Sequence, residues 1–506
     1  MHTLVCWFRR DLRVQDQTAL SHAARDAARI IPLFIVDPSL MAAPHGGGPR
    51  VAFLLESLRV LDANLRRLGG YLLVRQGDPC EVLLGVLRES GAAGVYVNRE
   101  YVEPGLTRDR CVRAAVESEG YLYQDFADIV VVEPGDLVSG AGTPYAVYTP
   151  YARAWAARPT PPVLPAPARP LTTPLLDGIA VPTPREVGWT VDINVATGGE
   201  DEAQRVLERF THGARAPIHA YATARNVPDL AGTSRLAPHL RFGTISPRTA
   251  LAAARSVTAV TPDGALPDPR GGGGTGGTTG DDAGRDGTGG PAGKGPLTWA
   301  GELAWRDFYF AWMHLNPQVA THAADARYDN LPFEDDPDLF AAWCAGQTGF
   351  PLIDAGMRQL NREGWMHNRL RMTTASFLCK DLLVDWRLGA AYFWQKLTCG
   401  DTPANIGGWQ WSASVGTDAQ PYFRVFNPVT QGERYDPTGA YVRRYVPELA
   451  AVPAAYIHRP WTLPASEAAR VGFTLGRTYP APIVDHADRR RRAIALFERA
   501  RGAGTP

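Results

Sequence analysis

The 506-residue chain lacks several common signatures, and each absence removes a class of function. Its six cysteines, Cys6, Cys80, Cys111, Cys344, Cys379 and Cys399, form no Cys-x-x-Cys and no zinc-like spacing. That argues against a zinc ribbon or a dithiol redox motif, and no metal site is read from the sequence. Scattered single cysteines fit free thiols in a reducing compartment. No apolar run approaches the roughly 18 residues that cross a bilayer, so a membrane partner is not expected. The N-terminal stretch MHTLVCWFRRDLR places a strand-like run ahead of its charges. A secretory leader has the opposite layout, and a cytoplasmic location is expected. Charge of one sign is missing as well, because 52 Lys and Arg balance 52 Asp and Glu. A bulk polycation is excluded, and a nucleic-acid partner would need a local basic surface.

What is present is an ordinary globular composition, 45% hydrophobic and 21% charged, with length for about two to four domains. Residues 1–135 alternate short apolar runs, at 4–8, 30–36, 71–74, 95–97 and 129–132, with helical periodicity. Leu54, Leu58, Leu61, Leu65 and Leu68 recur at three- and four-residue spacing until Gly69 and Gly70 stop the helix. This pattern predicts an α/β domain with a parallel sheet covered on both faces. No Gly-x-Gly-x-x-Gly falls in those residues, so the dinucleotide fingerprint is absent. Residues 136–202 are rich in proline and predict a linker. From 203 to 480 the pattern predicts a compact all-α domain, with helices over 300–315, 350–360, 371–383 and 390–397. A Gly-rich insertion at 261–296 interrupts it and predicts a disordered surface loop. Residues 481–506 form a C-terminal tail, whose run Arg489–Arg492 reads as a solvated helix end.

Four segments carry chemistry. GWMHNRLRM at 364–372 and DTPANIGGWQW at 401–411 set indoles beside amides and charges, a mixture suited to a planar redox-active ring. In TSRLAPHLRFGTISPR at 233–248, hydroxyls and an arginine precede a helix-like run, where phosphate can bind or a cap can form. In WAGELAWRDFYFAW at 299–312, Glu302, Trp305 and Arg306 share one helical face. Alone, that face fits either a surface Glu–Arg pair or a carboxyl held in an aromatic pocket. Asn368, Arg371 and Met372 repeat the spacing.

Together with WFRRDLRVQDQTAL from Trp7, YATARNVPDLAGTSRLAPHLRFG from Tyr221 and DAQPYFRVFNPVTQGERYDP from Asp418, these motifs resemble the photolyase/cryptochrome family. They stand in that family's order over nearly the whole chain, and they resemble in particular class I cyclobutane pyrimidine dimer photolyases. The resemblance implies an α/β antenna domain followed by an all-α domain that binds FAD. Tyr221, Thr233, Ser234, Arg235, Leu236 and Arg306 match residues at the FAD phosphates. Arg371, Asp401 and Asn405 match residues around the flavin ring, with Asn405 at N5. Glu302, Trp305, Asn368, Met372 and Trp411 match the pocket for a flipped-out dimer. Arg225, Arg369 and Arg424 match contacts to the phosphates of damaged DNA. The branch acting on the pyrimidine–pyrimidone photoproduct has histidines where Asn368 and Met372 stand, which favours the cyclobutane dimer as substrate.

Three departures stand out against the resemblance. The family's three-tryptophan relay matches Trp409 and Trp386, but its outermost position is Phe333, so either Trp343 substitutes as donor or light-driven flavin reduction is slow. Cys399 replaces a carboxylate that would pair with Arg371. The folate antenna pattern is broken at Val102 and Thr321, while Asp37, Arg50 and Glu103 lie in segments closer to those around 8-hydroxy-5-deazaflavin or FMN. The implied activity is light-driven repair by an enzyme that acts as a monomer. The alternative is a cryptochrome-type photoreceptor without repair activity.

Overall fold

The computed structural model describes residues 2–42, 46–168, 170–258 and 294–503. It divides into two compact units. The first comprises Met1–Val191, Ala196–Arg225 and Gly232–Pro317, and the second Asp192–Val195, Asn226–Ala231 and Gln318–Pro506. Among the described residues no helix is long and apolar enough to cross a membrane.

The first unit is built on five strands: β1 (Thr3–Phe8), β2 (Arg29–Val36), β3 (Leu73–Gln76), β4 (Gly94–Asn98) and β5 (Leu122–Phe126). All pair in parallel, in the order β3-β2-β1-β4-β5. The chain winds outward from β1 in both directions, so right-handed crossovers put helices on opposite faces. Strands buried on both sides need continuous apolar runs, and every residue of β1 and β4 is buried. The expected leucine helix is Gly48–Arg67, with Leu54, Leu58, Leu61 and Leu65 inward and Gly69 at φ 88° just beyond its end.

One expected strand is corrected. Residues 129–132 are buried but form no strand, and the fifth strand is Leu122–Phe126. As an edge strand, β5 buries only Tyr123 and leaves its other residues partly or fully exposed, and it therefore carries no apolar run. The Val131 and Val132 amides instead donate to Asp307 Oδ2 at 2.9 and 3.1 Å, which replaces the ladder they would need in a sheet.

The Pro-rich stretch holds a ten-residue helix, Tyr148–Ala157, with Tyr148, Tyr151 and Trp155 buried. Helices Glu200–Thr211, Pro217–Ala224, Ala237–Phe242, Pro247–Thr258 and Lys294–Leu315 complete the first unit. Most of the Gly-rich insertion, 261–293, lies outside the described residues. Lys294, Gly295 and Pro296, read from composition as part of that loop, open a 22-residue helix. Proline is tolerated in a first turn, and a Cβ on Gly295 would stand 2.1 Å from the Ile218 carbonyl, so only glycine lets these helices approach.

The second unit is helical. Its core gathers Trp343, Phe350, Phe377, Trp386, Phe393, Trp409 and Tyr441. The anticipated helices run Pro351–Glu363, Asn368–Lys380 and Trp386–Lys396, followed by Thr402–Ala413. Arg489 and Arg492 lie on helix His486–Ala503 and both pair with Glu334, so that basic run is partly anchored as well as solvated.

Candidate active site

The first unit brings together Tyr221, Arg225, the 233–236 turn and one side of helix Lys294–Leu315. Tyr221 is buried edge-on to Phe210 at 5.8 Å. Arg235 sits at φ 55°, a left-handed conformation unusual for a residue other than glycine. Beside it, Ser234 Oγ accepts from Leu236 N at 3.4 Å and from Trp299 Nε1 at 3.3 Å. This tight turn holds a hydroxyl and backbone amides close together, as a phosphate cradle requires.

Glu302, Trp305 and Arg306 remain partly accessible on one helical side, as their spacing predicts, but each has a partner from elsewhere. Glu302 pairs with Arg225 rather than Arg306. The Glu302 side chain keeps 37% of its surface, yet burial pushes its carboxyl pKa up, and Arg225 pulls it back down. Trp305 stacks on Tyr148 with 3.6 Å between centroids and 5° between planes. Arg306 donates to the Ile129 and Leu240 carbonyls at 2.5 and 3.5 Å and lies 4.6 Å over Phe310. The neighbouring Asp307, which the motif reading passed over, also accepts from Trp155 Nε1, and burial pushes its carboxyl up to about 6. Tyr148 was missed as well. Its only signal is the aromatic spacing of AVYTPYARAW.

In the second unit, helix Asn368–Lys380 starts at His367, whose side chain caps the Arg369 amide at 3.1 Å. That use turns the His367 ring away from the exposed side. Asn368 Nδ2 donates to Met372 Sδ at 3.6 Å, so these two side chains meet as predicted. Arg371 donates to the Met366 carbonyl at 2.8 Å and to Cys399 Sγ at 3.3 Å. The thiol thus stands where a carboxylate partner was expected. Arg369 stacks 4.3 Å over Tyr435 and reaches Asn226 Oδ1 at 2.5 Å. Arg424 is exposed.

Helix Thr402–Ala413, with buried Asp401 at its N-cap, carries Asn405, Trp409 and Trp411. Asn405 Nδ2 donates to the Ala390 carbonyl at 3.0 Å. Trp411 is partly accessible and Trp409 is 2% exposed. Trp409 meets Phe393 at 4.9 Å and Trp343 at 6.1 Å, both edge-on. Trp386 is buried, and Phe333 packs at the edge of the same core. Gly389 makes this packing possible, since a Cβ there would lie 2.1 Å from the Trp409 ring. On helix Thr402–Ala413, Gly408 has open space where a Cβ would stand. The buried indole nitrogens of Trp386 and Trp409 have no hydrogen-bond partner among the described residues. A flat heteroaromatic ring fits beside such a helix, which combines a backbone gap with an amide.

The antenna candidates are less distinctive. Asp37 caps Ser39, Glu103 pairs with Arg110, and Arg50 is buried.

Comparison with known proteins identifies the family. Residues 4–170 match the family described as DNA photolyase, and residues 299–499 match the FAD binding domain of DNA photolyase. The chain is 41% identical to the deoxyribodipyrimidine photo-lyase of Halobacterium salinarum, covering 98% of this chain and 99% of that one. It is 38% identical to that of Salmonella typhimurium, covering 99% of each. Among solved structures it resembles a class III photolyase from Agrobacterium tumefaciens, with TM-score 0.87 and 32% identity over 99% of this chain and 98% of that one. It also resembles a Synechocystis cryptochrome, with TM-score 0.86 and 29% identity over 98% of this chain and 99% of that one. With two family matches in order and relatives aligned from end to end, the chain belongs to the DNA photolyase family.

Proposed function

We propose that this enzyme is a deoxyribodipyrimidine photolyase that repairs cyclobutane pyrimidine dimers in DNA, acting as a monomer. Bound in its reduced form, FAD supplies light absorption and the electron that opens the cyclobutane ring and afterwards returns. In the first unit, the Thr233–Leu236 turn with Tyr221 and Arg306 would hold its phosphates. In the second, Arg371, Asp401 and Asn405 would border its ring, and the Asn405 amide can serve as donor or acceptor there.

A dimer pairs poorly, so flipping it out of the duplex costs less than flipping a normal base. Glu302 and Trp305 are the lesion-facing contribution of the first unit. Asn368, Met372 and Trp411 are that of the second. Trp305 and Trp411 supply apolar walls, while Asn368 and protonated Glu302 donate to lesion carbonyls where negative charge grows. Arg225, Arg369 and Arg424 contact flanking phosphates, a sequence-independent grip suited to lesions in any context. Trp409 and Trp386 serve cofactor photoreduction. Trp343, edge-on to Trp409, is the oxidisable neighbour where Phe333 is not. An antenna chromophore, 8-hydroxy-5-deazaflavin or FMN in preference to folate, completes the proposal, and the absorption spectrum of purified protein tests it.

The observation that carries this reading is the contact between Asn368 and Met372 on helix Asn368–Lys380, with no imidazole at either position. The competing reading, a photoreceptor without repair, draws on Phe333 at the distal relay position. Pre-reduced protein under blue light should restore a thymine-dimer oligonucleotide, with no repair in the dark and strongly reduced repair by Glu302→Ala. Intact dimers after illumination of reduced holoprotein would replace the repair reading with the sensory one.

A further inference from the structure

The Arg225–Glu302 ion pair joins a residue proposed for the lesion to one proposed for its flanking phosphate. Each cannot keep its partner and take up its role at once. A guanidinium drawn to a phosphate leaves the carboxylate behind.

The surroundings decide what that carboxylate does next. Glu302 lies on helix Lys294–Leu315, and among the described residues Arg225 is the only cation paired with it. From helix Pro217–Ala224 and its cap, the groups facing it are Tyr221 and Arg225 itself, whose guanidinium sits 5.8 Å over the Tyr221 ring. Helix Tyr148–Ala157 contributes the Tyr148 phenol near Arg225, donating to the Gly301 carbonyl at 2.7 Å. From helix Pro247–Thr258, Arg248 is held by Asp16 and Asp128, and Arg255 by Thr160. On its own helix, Arg306 donates to backbone carbonyls, and Asp307 is engaged with Val131, Val132 and Trp155. Burial raises the Glu302 pKa and Arg225 opposes it. Once Arg225 leaves, burial acts alone and favours the neutral acid.

We propose that Arg225 and Glu302 form an exchange switch, in which lesion DNA draws the Arg225 guanidinium onto a flanking phosphate and Glu302 takes a proton from water to become a donor to the lesion carbonyl. This rests on the repair reading above. The exchange serves the chemistry. An ionised carboxylate beside the dimer would oppose arrival of an electron there, whereas a neutral acid donates a hydrogen bond to the charge that develops. In the empty protein the ion pair spares both groups the cost of burial without a partner. Undamaged duplex inserts no flipped base and leaves the pair closed.

The test is a dark titration of reduced holoprotein with thymine-dimer duplex, by calorimetry in two buffers of different ionisation enthalpy. The native protein should take up about one proton per lesion bound near neutral pH. Glu302→Gln should bind with that uptake lost. Infrared difference spectra of the native protein should show a carboxylic-acid carbonyl band appearing on binding. In Arg225→Ala that band should be present before DNA is added. Lesion-selective binding by native protein with no proton uptake, or uptake that persists in Glu302→Gln, overturns the switch and leaves the repair reading intact. Failure to prefer dimer over undamaged duplex removes the repair reading, and the switch falls with it.

Discussion

A parallel sheet wound outward from its first strand offers a ligand crevice beyond the carboxyl ends of β1 and β4, where the winding reverses. Here that place is filled. Asp11 accepts from Arg9 N, Gln17 Nε2 and Asn98 Nδ2, all at 2.7 Å, and Asn98 Oδ1 accepts from Ala19 N at 3.0 Å. Arg10 pairs with Glu100 and donates to the Arg241 carbonyl. A Cβ on Gly243 would lie 2.1 Å from the Arg10 carbonyl, so backbone closes the remaining gap. Behind this plug, Asp128 binds Arg13 and Arg248. Helix Thr402–Ala413 of the second unit is the opposite case, with open space at Gly408 and the buried Trp409 indole N–H without a hydrogen-bond partner among the described residues. Satisfied polar networks fix a structure, and unsatisfied ones are where a ligand has something to do. The contrast explains why a sheet of nucleotide-binding topology carries no Gly-x-Gly-x-x-Gly and why the flavin motifs fall among helices.

The largest expected effect breaks the closed side of that comparison. Burial pushes the Asp128 carboxyl up, but Arg13 and Arg248 overcome it and hold the group below the usual range. Asp128→Asn leaves both guanidiniums in a buried site short of one charge and should cost about 3–5 kcal/mol. Urea unfolding measures this. A loss under about 1 kcal/mol would mean the plug is not what holds this region together.

Legibility in the sequence follows the same divide between local and distant partners. Strands β1, β2 and β4 and helix Gly48–Arg67 could be read because double-sided burial and helical spacing are written in consecutive residues. Strand β5 could not, because an edge strand alternates and looks polar, while 129–132 looked like a strand although a distant carboxylate satisfies it. In the candidate site, the Asn368–Met372 contact lies one helical turn apart and was foreseeable. The Trp305–Tyr148 stack and the Arg225–Glu302 pair join separate segments, and no spacing rule reaches that far. Spacing even favoured the wrong arginine for Glu302, because Arg306 sits at i+4 but is drawn to backbone carbonyls.

Smaller effects probe the open side. Gly389→Ala would set a methyl group 2.1 Å from the Trp409 ring. The indole must move, with an overpacking cost of about 1–3 kcal/mol and slower photoreduction of bound flavin. Unfolding curves and flash spectroscopy read the two separately, and a fully stable variant with native photoreduction would show that Trp409 is not fixed by this contact. Next comes Lys380, which donates to Ser414 Oγ at 2.8 Å and to the Arg424 carbonyl at 3.1 Å. Burial brings its pKa down from 10.5 to about 7. Between those values the unfolded chain binds more protons than the folded one, so this group makes stability rise with pH, by about 1.4 kcal/mol per unit at most. Below the folded value the slope vanishes. Lys380→Met should remove it, and an unchanged slope between pH 7 and 10 would deny that this amine titrates in the fold.

The finest test concerns the charge beside the proposed ring. Arg371 meets a thiol, Cys399 Sγ at 3.3 Å, where a carboxylate would cancel its charge. A thiol accepts the hydrogen bond weakly and neutralises nothing, so the guanidinium's field remains available to electrons added nearby. Cys399→Asp should restore the counter-charge and lower the reduction potential of bound flavin by the equivalent of about 1 kcal/mol, the scale of one charge contact largely screened by its surroundings. Cys399→Ser keeps the size and the neutrality, so it should leave the potential nearly unchanged, which separates charge from packing. Spectroelectrochemical titration of the three proteins decides the matter. Equal potentials in all three would mean that the ring does not feel Arg371. The openness of helix Thr402–Ala413 would then serve shape alone, with no electrostatic tuning.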